Sequence, residues 1–328
     1  MEIGRRDFIK VISAGAITAT TAKTALAQVR KQAPPNAPGI LYDGTLCIGC
    51  KACEVGCKKQ NNMPIDQSAY SRDKGVAGIW DEGGDLNSRT LNKIKVYKNG
   101  TAEYKDREVD GYAFVKRACM HCIDPDCVSA CPVSALTKNS ENGIVQYNKD
   151  ACIGCRYCQI ACPFNIPKFE YEAAIPEIVK CEFCAHVQTA GGIPGCCEYC
   201  PTGASLFGNY SDLLDEAHKR LQLEPGSSHN FPIQSLISNQ YSPKTVSRYV
   251  NYVYGEKETG GTQYLLLSAI PFAKLGLPSL PQNSSAAVSE DLQHTIYSGL
   301  FAPIGLLLAL MYAAHRSMKH HENKEEVA

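Results

Sequence analysis

Polar and apolar positions alternate with period two in several stretches of the chain, and each such stretch predicts a strand. In NKIKVYKNGTAEY the alternation runs on both sides of Asn99 and Gly100, which predicts a β-hairpin turning at that pair. YAFVKR, beginning at Tyr112, reads as a half-buried strand that runs directly into ACMHC. ALTKNSENGIVQYN, with Asn142 and Gly143 at its turn, predicts a second hairpin. GASLFG and TQYLLLSAI read as further strands. A helical pattern begins near Ser211, with Asp212 in the first turn and Leu213, Leu214, Ala217 and Leu221 on one face.

The two ends carry different patterns. Residues 1–27 hold consecutive arginines at Arg5 and Arg6, a mildly apolar run from Val11 to Ala22, and Ala25-Leu26-Ala27 before Gln28. That combination resembles a twin-arginine export signal, followed by a proline-rich linker over residues 28–39. Twin-arginine export carries folded proteins, so it suits a chain whose cofactors are inserted in the reducing cytoplasm. Near the C-terminus, residues 295–314 contain no charge. At about 1.5 Å per residue they span roughly 30 Å, so a transmembrane helix is expected over 293–315. Arg316, Lys319 and the histidines His315, His320 and His321 then place the tail, residues 316–328, on the cytoplasmic side, with the bulk of the chain in the periplasm.

Composition changes the picture at one point. The 33 basic and 33 acidic residues cancel, which gives no electrostatic case for a nucleic-acid partner. The 17 cysteines all lie between Cys47 and Cys200. Cys152, Cys155, Cys158 and Cys162 with the proline after them follow CxxCxxCxxxCP, the ferredoxin run in which three thiolates wrap one 4Fe-4S cube and the fourth reaches a second. Cys47, Cys50, Cys53 and Cys57 repeat the spacing with Lys58 in place of the proline. Cys119, Cys122, Cys127 and Cys131 repeat it with a middle gap two residues longer. The last group is Cys181, Cys184, Cys196 and Cys200. Cys196 and Cys197 compete for one place there; the CxxxCP ending favours Cys196 and leaves Cys197 as a buried free thiol.

Applied pairwise, the crossover rule predicts four clusters: Cys47, Cys50, Cys53 and Cys200; Cys57, Cys181, Cys184 and Cys196; Cys119, Cys122, Cys127 and Cys162; Cys131, Cys152, Cys155 and Cys158. Disulfides suit the periplasm, but CxxCxxC runs are poorly placed for several independent bridges. Zinc sites use two pairs, not a triplet with a distant fourth ligand. The expected fold is α+β: tandem ferredoxin-like domains over 40–222 with an insertion at 58–111, a loop-rich arm over 223–292 that contacts partners, and one C-terminal transmembrane helix. Four fully ligated cubes leave no open iron for substrate, so no catalytic centre is expected.

The residues KRACMHCIDPDCVSACPVSALTK and CIGCRYCQIACPFNIPK resemble the four-cluster iron-sulfur subunits of membrane-bound respiratory complexes, of the dimethyl sulfoxide reductase and formate dehydrogenase type. The export signal, the tail segment YGEKETGGTQYLLLSAIPF and the final apolar helix are more similar to the ferredoxin-like subunits of hydrogenase-2 type complexes. The resemblance implies the same ligand pairing. It also implies an electron relay from the small subunit of a NiFe hydrogenase, beside its large subunit, to a polytopic quinone-binding membrane subunit. The alternative is the same role beside a periplasmic molybdenum or tungsten oxidoreductase of formate, thiosulfate or polysulfide type. His121, between two ligands, reads as a residue outside the ligand set. His294 and His315 read as interfacial residues rather than haem ligands. Lys51, Lys58, Lys59, Arg156 and Lys168 are the cations expected to raise cluster potentials.

Overall fold

The computed structural model describes residues 31–65 and 85–325. The export-signal stretch, the first three residues of the linker, part of the insertion and the last three residues of the tail lie outside these residues. Twelve strands are described: β1 (Pro38–Asp43), β2 (Lys93–Lys98), β3 (Tyr104–Lys105), β4 (Gly111–Arg117), β5 (Leu136–Lys138), β6 (Val145–Tyr147), β7 (Lys168–Phe169), β8 (Ile178–Val179), β9 (Ser205–Asn209), β10 (Ser228–Pro232), β11 (Tyr241–Thr245) and β12 (Tyr264–Leu267). The helices are α1 (Ala52–Gln60), α2 (Asp126–Ser129), α3 (Tyr157–Ala161), α4 (Ala185–Thr189), α5 (Gly195–Glu198), α6 (Tyr210–Leu221) and α7 (Ser285–Glu325).

The central sheet has the order β12-β1-β9. Every residue of β1 is buried, as expected of a strand covered on both faces. It pairs antiparallel with β9, Ile40 opposite Phe207, and parallel with β12, Ile40 opposite Tyr264. Side-chain alternation splits the sheet between two cores. Leu41, Leu206, Leu265 and Leu267 pack with Leu213 and Ala217 of α6. Ile40, Tyr42, Tyr264 and Leu266 join a larger core that includes Cys47, Cys53 and Cys200. The helix near Ser211 forms one residue earlier than read, because Asn209 caps it: its Oδ1 accepts from the Ser211 N–H at 3.0 Å.

Three expectations need correction. The turn at Asn99-Gly100 exists, with Gly100 at φ 55°, but β2 and β3 do not pair. β4 lies between them, antiparallel to β2 and parallel to β3. Its Ala113, Phe114, Val115 and Lys116 are all buried, so it takes the centre and the polar two-residue β3 is left at the edge. The hairpin at Asn142-Gly143 does form, with Leu136 opposite Tyr147.

Residues 223–292 are not an arm laid over the surface. They contribute β12 to the central sheet, and Thr262 and Gln263 just ahead of it are wholly buried. The predicted strand TQYLLLSAI is present, but its apolar run is consumed by the protein's own core.

Residues 293–315 fall within α7, a helix of 41 residues. Among the described residues, however, no helix is long and apolar enough to cross a membrane. Along α7, Ile304, Leu307, Leu308, Leu310 and Met311 are exposed. The first turn of α7 is fixed to α2: the Ala286 N–H donates to Asp126 Oδ1 at 2.6 Å, and the Ser284 hydroxyl bonds Asp124.

Candidate metal centres

Each ligand group opens with the same backbone device. The third residue of the first CxxC takes a left-handed conformation in all four: Gly49 at φ 69°, His121 at 46°, Gly154 at 70° and Phe183 at 59°. In three of them this turns the N–H back onto the first cysteine, so that Gly49, Gly154 and Phe183 each donate to the Sγ of Cys47, Cys152 and Cys181 at 3.4 Å. Two CP endings are held similarly, with Ala135 N–H on Cys131 Sγ at 3.2 Å and Ser205 N–H on Cys200 Sγ at 3.4 Å. N–H donors aimed at sulfur stabilise a thiolate and set its direction.

The fold brings the four predicted sets together from distant parts of the chain. Cys47, Cys50, Cys53 and Cys200 line one pocket. Tyr42 lines it as well, and its buried hydroxyl lies against the Cys47 thiol, whose acidity it increases as a donor to sulfur. Asn61 joins the second set by reaching both Cys57 Sγ at 3.8 Å and Cys184 Sγ at 3.7 Å. Cys57, Cys181 and Cys184 each have Cys196 as a charged neighbour. Cys197 is fully buried in the core beside it.

The thiols themselves report the third and fourth sets. Burial pushes the Cys122 thiol well up, and Cys162, Cys119 and Cys127 push it further. Cys162 is raised to about 11 by burial, with Cys119 adding to the shift. Cys158 is likewise raised to about 11, by burial first and then by Cys131, Cys155 and Cys152. Four buried thiols that raise one another are costly as four thiolates, and a cationic iron-sulfur core removes that cost. The donor sets therefore fit 4Fe-4S clusters. Among the described residues no three His, Cys, Asp or Glu are placed to hold a single metal ion; a cube spreads its four thiolates over four irons.

The sets also act on one another in succession: the charge of Cys196 in the second reaches Cys53 of the first, that of Cys119 in the third reaches Cys181 of the second, and that of Cys158 in the fourth reaches Cys127 of the third. The only exposed cysteines among the seventeen are Cys50 and Cys155, in the first and last sets.

Of the cations read in sequence, Lys51 and Lys58 are buried and Lys51 lines the pocket of the first set, while Arg156 and Lys59 are exposed. The sequence reading missed buried Lys116 and Lys180 and half-buried Lys138, which also face thiols. Lys138 donates to the Cys122 carbonyl at 2.8 Å and Lys180 to that of Cys181 at 3.0 Å. Burial lowers Lys138 to about 8 against the pull of Cys122, Cys119 and Cys127. A lysine in an alternating strand signals a solvent face, so Lys116 carries no mark in the sequence except its place three residues before Cys119. His121 is not at the surface. It is fully buried, accepts the Val145 N–H on Nδ1 at 3.2 Å, and meets the Phe183 ring edge-on at 4.5 Å. Burial, with Lys180 and Lys138 nearby, holds it well below the usual histidine range and therefore neutral.

The 4Fe-4S dicluster domain family matches residues 111–210, the half of the ligand region that contains the third and fourth sets entire. The chain is 43% identical to the hydrogenase-2 operon protein HybA of Escherichia coli O157:H7, over 99% of both chains. The chain belongs to the HybA family. The HybA of Shigella flexneri matches to the same extent. A formate dehydrogenase iron-sulfur subunit of Haemophilus influenzae is 32% identical over 91% of this chain and 85% of its own, which places the HybA family within a wider group of iron-sulfur subunits. The chain carries four 4Fe-4S clusters and is an iron-sulfur electron-transfer subunit, not catalytic by itself.

Proposed function

We propose that this chain relays electrons from the small subunit of a periplasmic NiFe hydrogenase, beside its large subunit, to a polytopic quinone-binding subunit of the inner membrane. When bound, the four clusters supply one-electron redox steps. The chain's part is to fix their ligands, as the sixteen cysteines predicted, and their order. The observation that carries the reading is the linear succession of the four sets with an exposed cysteine at each end, Cys50 and Cys155.

The exit is assigned to the Cys155 end. There Ile153, Tyr157 and Ile160 are exposed around the ligands, an apolar face suited to another protein. α7 also leaves the body at α2, beside Cys127 and Cys131, so the end of the relay and the root of the apolar helix lie on neighbouring elements. In this reading the body stands on the periplasmic side of the inner membrane after twin-arginine export.

The second reading, a molybdenum or tungsten oxidoreductase partner, is supported by the formate dehydrogenase relatives. Identity over the full chain favours the hydrogenase, 43% against 32%. Purification of the intact membrane complex decides between them. Nickel and two hydrogenase polypeptides are expected; a molybdopterin enzyme without nickel would refute the first reading.

A further inference from the structure

Lys116 is 1% exposed, and among the described residues no carboxylate pairs with it. The acidic groups that act on it most are Cys196, Tyr264, Cys53 and Cys197, three thiols and a phenol. Its Nζ donates to Ser205 Oγ at 3.0 Å and lies 5.8 Å from the centre of the Tyr264 ring. Ser205 in turn donates its N–H to Cys200 Sγ at 3.4 Å. The ammonium therefore stands between two ligand sets: its charge reaches Cys53 in the first, and Cys57, Cys184 and Cys196 in the second. Half-buried Lys138 and buried Lys180 belong elsewhere. Lys138 acts with the third set, and Lys180 is held on backbone carbonyls of Val145 and Cys181, where it acts on Cys127.

A buried cation is retained only where a counter-charge compensates it. With thiols as its neighbours, that counter-charge is the pair of loaded ligand sets themselves. Each electron added to either set makes it more negative, and a nearby fixed cation favours that reduced form. We propose that Lys116 is a cation shared by the Cys47-Cys50-Cys53-Cys200 and Cys57-Cys181-Cys184-Cys196 sites, raising both of their reduction potentials together and leaving the other two unaffected. Lys116 is thus a positioning residue for charge, not a ligand. The proposal rests on the four-cluster reading above and adds which sites are tuned and by what.

The test is a redox titration of the purified complex followed by electron paramagnetic resonance, with iron measured per chain. Wild type is compared with Lys116→Met, Lys116→Arg and Ser205→Ala. In Lys116→Met, two of the four midpoint potentials are expected to fall by about 59 mV, a tenfold change for one electron, and two to stay. Lys116→Arg restores most of the fall, and Ser205→Ala, which frees the ammonium from the Cys200 side, moves the first site most. Four unchanged potentials at full iron content, or an equal fall in all four, overturn the proposal. Should Lys116→Met fail to hold iron, Ser205→Ala decides alone, and unchanged potentials there overturn it as well. Iron for fewer than four cubes in the wild type is a different failure, since it strikes the four-cluster reading itself.

Discussion

Arg220 of α6 places Nη1 3.0 Å from Asp43 Oδ2, with neither side chain exposed. The carboxylate also accepts from Tyr249 Oη at 2.8 Å, and from the Thr45 N–H at 3.0 Å and Thr45 Oγ1 at 2.6 Å. Glu216 takes the Arg220 Nε–H at 2.9 Å. This network ties α6 to the end of β1, four residues before Cys47. Removing one partner of a buried pair leaves an uncompensated charge, at a cost of about 3–5 kcal/mol. Arg220→Met is therefore expected to lower the denaturant midpoint by that order and to lose the first cluster before the others. Asp43→Asn should cost less, because Glu216 still answers the guanidinium. Chemical unfolding with iron analysis checks both, and an Arg220→Met protein that lost only the fourth cluster would contradict this account.

Gly49 and Gly154 occupy equivalent turns but have unequal surroundings. A Cβ on Gly49 would meet Phe114 Cε1 at 2.3 Å, whereas on Gly154 its nearest neighbour is Phe169 Cε2 at 3.7 Å. Both alanine variants bear the left-handed penalty of about 1–2 kcal/mol. Only Gly49→Ala adds a clash, inside the first ligand loop. Iron per chain is expected to fall by one cube's worth in Gly49→Ala and to remain full in Gly154→Ala.

The crossover pairing has its own test. Cys162 follows α3 in the third ligand group, yet its charged neighbour is Cys119. Cys162→Ser is expected to alter the spectroscopic signal of the site with Cys119, Cys122 and Cys127 while sparing that of Cys152, Cys155 and Cys158. The reverse pattern would mean that each run ligates one cube by itself.

Asp106 gives a pH dependence remote from the clusters. Burial raises its carboxyl above the ordinary 3.8, against the opposing pull of Lys105. The folded state then holds a proton that the unfolded state releases, so this group's contribution is greatest below 3.8 and is lost as pH rises through the raised value. Asp106→Asn abolishes that loss. Asparagine accepts the left-handed φ of 61°, although it gives up the ion pair with Lys105 at 2.7 Å. The stability of the variant relative to wild type is expected to rise from acid to neutral pH, measured by denaturation at the two pH values; an unchanged difference would contradict this.

The ligand groups could be read from the chain because cysteine spacing is local: residues two or three apart must share a loop, whatever the rest of the fold does. The left-handed turn inside each group was not read from the sequence, and at His121 and Phe183 neither residue type announces it. The turn at Asn99-Gly100 was visible, but not the strand that would receive it; turn chemistry bends a chain without choosing its edge. Lys116 shows the limit most plainly. Its residue type predicts solvent, and only the packing of Cys53, Cys196 and Tyr264 around it reverses that.

β12 enters the central sheet roughly 220 positions after its partner in β1, and in parallel register. During synthesis the first ligand loop therefore emerges early and waits, with one side of its supporting strand unpaired, until nearly the whole chain has been made. Contacts of such long sequence separation form late and slowly. A nascent chain stopped between Cys200 and Tyr264 has all its cysteines and still lacks the wall behind the first site, so synthesis of β12, more than delivery of iron, sets the earliest moment at which that site can close.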